Sequence, residues 1–259
     1  MILSDFHVHT TFCDGAHSPR KMVEAAIEKG MDAIGFSAHS YTYFDESYCL
    51  KKADIPKYKQ EISALKEEFK RKIRVYLGIE QDVYSAADTA GYDYVIGSAH
   101  YVLKDDRFYA VDNSEAAFCA LGEDIYGGDY IALCEDYFKS VSRLAEKRDI
   151  TFIGHFDLIT KFNEGGKYFD ESHPRYIAAW QKAMDALLPL KIPFEVNTGA
   201  IARGCRTSPY PALPVLNYIK ENGGKVIFSG DTHHKDCLCY AFDSVLPQIA
   251  ALHIPIVTL

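Results

Sequence analysis

Ile2-Leu3-Ser4-Asp5-Phe6-His7-Val8-His9 is a short apolar run that ends in two imidazoles, and its pattern repeats down the 259-residue chain. Comparable runs, bounded by Gly, Pro or polar residues, occupy Ile2 to Phe6, Ala33 to Phe36, Ile73 to Ile79, Tyr94 to Ile96, Thr151 to Ile153, Ile192 to Val196, Lys225 to Phe228 and Ile256 to Leu259. Segments this short and this continuously apolar read as strands buried on both faces, the pattern of a parallel sheet.

Most of the intervening segments have helical spacing and readable ends. Ser18 is placed to cap a helix with Pro19 at its first position, Val23 and Ile27 share a face, and Gly30 follows as a stop. Tyr58, Ile62, Leu65 and Phe69 form a stripe opposite Lys59, Glu61, Glu67 and Glu68, and Tyr130, Leu133, Tyr137, Val141 and Leu144 form another. A further helix is expected within Pro211 to Asn222, ending at Gly223. Alternation of this kind implies right-handed βαβ units, and seven or eight of them suffice to close an α/β barrel. An open doubly wound sheet is the alternative, but no Gly-rich dinucleotide or P-loop signature follows the first strand.

Composition narrows the function. The hydrophobic content of 48% supports one sizeable core, so residues 1–259 are expected to form a single domain. A net charge of -8 disfavours long nucleic acid, whose binding depends on Lys and Arg neutralising phosphates, and favours a small substrate. Met1 runs directly into the first strand, and neither a signal peptide nor a membrane span is expected. The seven cysteines are scattered without a zinc-finger pattern, which suits a reducing cytoplasmic setting; Cys237 and Cys239 read as ordinary thiols.

The chemistry lies at the residues just beyond each strand. His7, His9 and Asp14 follow the first, His39 the second, Glu80 the third, His100 the fourth, His155 the fifth, and Asp231 with His233 the seventh. In a barrel these ends converge on one face. His7 and His9 are two apart, so on an extended strand both point to one side, and Asp231 and His233 share that spacing. A lone His or Asp after a strand is usually a hydrogen-bonded loop residue or a helix cap. Here, however, six of the ten histidines occupy such positions together with three carboxylates. Imidazole and carboxylate without thiolate suit Zn, Mn or Fe in a catalytic site, where a neighbouring pair of ions lowers the pKa of water from ~15.7 to about 7. His17 and His234 adjoin the ligand segments as candidate supporting or substrate groups, whereas His173 and His253 read as structural.

The His7-x-His9 opening, Phe36-Ser37-Ala38-His39, Gly78-Ile79-Glu80, Gly97-Ser98-Ala99-His100, Gly154-His155-Phe156-Asp157 and Gly230-Asp231-Thr232-His233 resemble, in order, the motifs of the polymerase and histidinol phosphatase (PHP) family. Phe12-Cys13-Asp14-Gly15, the stretch Phe118 to Lys139, Asp157-Leu158 and Glu195-Val196-Asn197-Thr198 are most similar to its histidinol-phosphate phosphatase branch. The resemblance implies a distorted, TIM-like (β/α)7 barrel carrying two or three divalent ions. It assigns His7, His9, Glu80 and Asp231 to one ion, Glu80, His100 and His155 to a second, and Asp14, His39 and His233 to a third, with Glu80 bridging. It further implies that Asp231 and His233 act at a centre whose hydroxide is the nucleophile. Arg203 and Lys161 would bind the substrate phosphate, with Arg206 able to substitute for either.

The chain departs from that branch at Ala38, which replaces an acid before His39, at Ser40-Tyr41, and in the more charged segment Leu103 to Asp112. The expected reaction is hydrolysis of a small phosphomonoester, L-histidinol phosphate in histidine biosynthesis. The alternatives are a phosphoesterase acting on nucleotides or short oligonucleotides and a noncatalytic metal-binding module. Leu103 to Asp112 and Thr160 to Glu171 are long enough to serve as lids.

Overall fold

A computed structural model describes residues 3–259, in which the apolar runs become strands of one parallel sheet. Ile2, the first residue of the expected opening strand, lies outside the described residues. In chain order the strands are β1 (Ser4–Val8), β2 (Ala33–His39), β3 (Arg74–Asp82), β4 (Tyr94–Ser98), β5 (Tyr101–Lys104), β6 (Arg107–Ala110), β7 (Phe152–Ile153), β8 (Phe194–Asn197), β9 (Val226–Ser229) and β10 (Ile256–Val257). Eight of them lie in the order β1-β2-β3-β4-β7-β8-β9-β10, every pair parallel, and β5 and β6 form a separate antiparallel hairpin.

The sheet is curled. Val8 bridges Thr232, the amide of His9 donates to the Thr232 carbonyl and the amide of Thr232 donates to the His7 carbonyl, so β1 rejoins the segment leaving β9. β10 pairs only with Val226 and Ile227, at the start of β9. The sheet therefore holds one strand more than seven units require, added on the side away from the ligand-bearing rim.

The helices are α1 (Pro19–Glu28), α2 (Ile55–Phe69), α3 (Glu115–Ala120), α4 (Tyr130–Ser142), α5 (Pro174–Leu187), α6 (Gly199–Ala202), α7 (Leu213–Glu221) and α8 (Phe242–Ala251). Ser18 caps α1 by accepting from the Lys21 amide. α2 buries Tyr58, Ile62, Leu65 and Phe69, the stripe read from spacing. No helix joins β3 to β4, which are linked by residues 83–93. Leu103 to Asp112 is largely the β5–β6 hairpin. Thr160 to Glu171 is tied down by buried Asn163, which accepts from the Tyr168 and Phe169 amides and donates to the Phe169 carbonyl and Glu171.

Strands and helices share a large apolar layer, while a smaller cluster of Phe6, Ala33, Tyr94, Ile96, Phe152 and Ile227 comes from strands alone and fills the barrel interior. Tyr94 is its plug, donating its hydroxyl to the Phe6 carbonyl at 2.7 Å. A Cβ at Gly78 would collide with that ring and one at Gly35 would lie 2.6 Å from its hydroxyl, so both positions are glycine because the tyrosine occupies the space. The described helices include none long and apolar enough to cross a membrane.

Candidate metal centre

All nine residues singled out as ligands meet at the C-terminal ends of the strands. His7 Nε2 lies 3.2 Å from Glu80 Oε2 and 3.8 Å from Asp231 Oδ1, and His9 Nε2 lies 3.6 and 3.3 Å from the same two atoms. The other Glu80 oxygen, Oε1, is 3.3 Å from His100 Nε2 and 3.0 Å from His155 Nε2. Asp14 Oδ2 is 3.6 Å from His39 Nε2 and 3.3 Å from His233 Nε2. His39 Nδ1 also approaches Glu80 Oε2 at 2.8 Å, which joins the third group to the first.

These spacings bracket those of donors around a common cation. Bonds of about 2.0–2.2 Å in a tetrahedral arrangement separate neighbouring donors by about 3.3–3.6 Å. His7 Nε2, His9 Nε2 and Glu80 Oε2 are buried and lack hydrogen-bond partners. Buried polar atoms left facing one another are costly, and a dication between them removes that cost. The donor set therefore fits divalent metal binding.

A second layer of residues turns the rings. His7 Nδ1 donates to Glu195 Oε1 at 2.6 Å, His100 Nδ1 to Asp82 Oδ2 at 3.1 Å and His233 Nδ1 to the Asp231 carbonyl at 3.0 Å, leaving each Nε2 to face inward. His9 Nδ1 has Cys13 Sγ at 3.5 Å. Glu195 also accepts from the Ser229 hydroxyl, the His155 amide at 2.6 Å and Asn197 Nδ2 at 2.9 Å. Asp231 has φ of +47°, a left-handed conformation that Asp tolerates better than most residues. Asp5 braces it on both sides, accepting from the Gly230 amide and the Thr232 hydroxyl at 2.9 Å each.

Electrostatics follow from this packing. Burial, then the neighbouring His233 and His39, holds the His9 imidazole down to about 3, so the ring is neutral and able to ligate. Burial works to raise Glu80, but the charges of His7, His39 and His100 overcome it and keep the carboxyl well below its ordinary range. For Asp231 burial is likewise overcome, by Arg203 and His7. Burial alone would lower His39, yet Glu80 and Asp14 raise it to about 9. Such imidazoles exchange their protons for a bound dication.

The centre opens into a pocket of about 340 Å³ lined by Asp14, His39, His100, His155, Asp231 and His233, with Arg203 and Lys161 on its wall. Arg203 Nη2 donates to Asp231 Oδ2 at 2.8 Å and Nη1 to the Asp231 carbonyl at 3.0 Å. Lys161 Nζ is engaged by Asp112, donating to its carbonyl at 2.7 Å and its carboxylate at 3.2 Å. Arg206 does not line the pocket. Its Nη1 donates to the Thr160 carbonyl at 2.7 Å. His17 and His234 stack edge to face with centroids 4.4 Å apart, outside the pocket lining. His173 caps α5, and His253 sits past the end of α8.

Asp5, Asp82, Asp112 and Glu195 were not singled out from sequence. The signal for Asp5 and Glu195 was present: a carboxylate inside an apolar run, in Ile2 to Phe6 and in Ile192 to Val196, is a charge committed to burial and must find partners there.

Comparison with known proteins shows the family and the fold. Residues 5–198 match the family model described as PHP domain. A Deinococcus radiodurans protein named "Probable histidinol-phosphatase" is 28% identical over 258 residues, covering 95% of this chain and 92% of the relative. A solved candidate histidinol phosphatase from Listeria monocytogenes superposes with a TM-score of 0.79 at 18% identity, covering 93% of this chain and 99% of that one. The Lactococcus lactis histidinol phosphate phosphatase, solved with zinc, L-histidinol and phosphate, gives 0.72 at 23% identity over 99% of this chain and 95% of its own; both structures share the fold.

Proposed function

The chain belongs to the PHP domain family, and on that premise we propose that it is a metal-dependent phosphatase that hydrolyses L-histidinol phosphate to L-histidinol and phosphate, the reaction of histidine biosynthesis. Glu80 carries the reading: Oε2 faces His7, His9 and His39 and Oε1 faces His100 and His155, all within 2.8–3.6 Å, so the carboxylate would be shared between two cations. Relatives named for this activity align over nearly the whole chain.

His7, His9, Glu80 and Asp231 would hold one ion, Glu80, His100 and His155 a second, and Asp14, His39 and His233 a third, drawn from Zn, Mn or Fe. The bound ions would supply Lewis acidity, acidify water near neutral pH and neutralise phosphoryl oxygens. The protein does the rest. Asp231 has two duties, turning Oδ1 to the His7–His9 pair and Oδ2 to Arg203, so the guanidinium is fixed beside the place where a phosphoryl group would sit. Arg203, its side chain 31% exposed, offers a fork matched to phosphate and steadies charge on the equatorial oxygens as the ester bond breaks. Lys161 would add a second cation on exchanging its Asp112 contact for phosphate. His233, directed by the Asp231 carbonyl toward Asp14, closes the rim.

Residues 1–259 act as one catalytic domain in this reading, because Asp231 and His233 lie beyond the family match yet face His9 and Asp14 within it. Seven unpaired thiols suit the cytoplasm. The test is phosphate release from L-histidinol phosphate against a panel of nucleotides and short oligonucleotides, with a metal-stripped control. Turnover of the amino-alcohol ester alone, dependent on metal, supports the reading; no release from any substrate by fully metallated protein overturns it.

A further inference from the structure

Arg206 is buried, its side chain 6% exposed, and it contributes nothing to the pocket wall formed by Arg203 and Lys161. Taking a guanidinium out of water costs several kcal/mol unless its donors are satisfied. Here Nη1 and Nη2 are spent on one particular junction, and Nε, which has no hydrogen-bond partner, lies 3.9 Å from Glu164 Oε2. Nη1 reaches the carbonyl of Thr160, the residue before Lys161, and Nη2 donates to Ser208 Oγ at 3.2 Å. Arg206 Cζ lies over the Tyr210 ring, 5.4 Å from its centroid.

Two further links join the same segments. The Thr207 hydroxyl and amide donate to the two Glu164 carboxylate oxygens, and the Ala212 amide donates to Asp157 Oδ2 at 2.8 Å. At the other end, the Arg206 and Cys205 amides both donate to the Ala200 carbonyl, which anchors the turn to α6, the helix that Arg203 follows. The Thr160 amide and hydroxyl return to the Asp157 carbonyl, and the Lys161 amide to that of Leu158. Residues 157–164, carrying Lys161, and residues 200–212, carrying Arg203, are thereby bracketed together with Arg206 at the centre.

We infer that Arg206 is a positioning residue: it sets the spacing of the two cations that receive the substrate phosphate, without touching the phosphate. The inference rests on the phosphatase reading above. Lys could not replace it fully, because a single ammonium does not span a carbonyl and a hydroxyl as a rigid fork does.

The test measures KM and kcat for L-histidinol phosphate, the inhibition constant of inorganic phosphate, and bound metal by elemental analysis. The proteins are Arg206→Met, Arg206→Lys, Thr207→Val and Arg203→Ala. Arg206→Met is expected to raise KM and the phosphate inhibition constant about tenfold, the loss from displacing one charge-assisted hydrogen bond. Its kcat and metal content should stay within about twofold of the parent, a split that general loosening of the site would not give. Arg206→Lys should recover part of the loss. If Arg206→Met fails to fold, exposed Thr207→Val, which removes the hydroxyl bond to Glu164 and leaves the amide bond, decides: weaker phosphate inhibition supports the inference and an unchanged constant overturns it. Unchanged phosphate inhibition in Arg206→Met while Arg203→Ala loses it sinks this inference alone. If Arg203→Ala also leaves phosphate binding intact, the phosphate-site reading falls with it.

Discussion

Replacing Glu195 by Gln changes one atom and should disturb both the fold and the metal centre. Four donors converge on the two Glu195 oxygens: His7 Nδ1 and the Ser229 hydroxyl on Oε1, the His155 amide and Asn197 Nδ2 on Oε2. A carboxylate accepts all four. An amide accepts on its oxygen only and turns its own N–H bonds toward the other pair of donors. Glu195 is fully buried, so water cannot repair the mismatch. Two charge-assisted bonds at about 1.5–3 kcal/mol each put the loss at roughly 3–6 kcal/mol, which for a domain of this size lowers Tm by about 10 °C. Because Glu195 also fixes the tautomer of His7, bound metal should weaken about 10–100-fold, as for other partners of ligating histidines. Differential scanning calorimetry of the metal-free protein reads the first effect, and competition against a chelator of known affinity reads the second. A variant that melts within about 2 °C of the parent and holds metal equally well would refute the claim that Glu195 orients His7.

The same geometry sets other outcomes. His7→Ala and Asp231→Asn should each lower bound metal by elemental analysis, and retention of full metal in both would count against the cluster as assigned. Arg203→Ala should keep its metal but lose about 10–100-fold in kcat/KM for the phosphomonoester, in line with removal of a charged hydrogen bond made to the reacting group; an unchanged kcat/KM would remove Arg203 from the site. Gly78→Ala forces a methyl into the Tyr94 ring, so a Tm fall from about 1–3 kcal/mol of overpacking is expected, and a stable variant would show that the ring moves freely. Dialysis against a chelator should abolish turnover and lower Tm, with about 2.7 kcal/mol regained when metal is restored at a hundred times its dissociation constant; unaltered melting would mean that the metal does not support the folded state.

Much of the molecule was legible along the chain. Continuous apolar runs located the strands of the parallel sheet, because such strands are buried on both faces and need no alternation. The same runs located the ligands, since six of the eight led into His, Asp or Glu beyond a strand's C-terminal end and a barrel brings those ends to one rim. The charge of Leu103 to Asp112 marks a loop, and the alternation there spans too few residues to distinguish the β5–β6 hairpin from an excursion.

What the sequence by itself determined was the kind of element each segment forms and where along that element each reactive side chain stands, because both are set by local period and end signals. Tertiary structure alone decided who faces whom. It gave Glu80 imidazoles on both oxygens, His7 its Glu195, Lys161 its Asp112, and Arg206 the Thr160 carbonyl in place of the pocket. His7 and Glu195 are 188 residues apart, Lys161 and Asp112 49, and only strand register and the curl of the sheet bring such partners within hydrogen-bond reach.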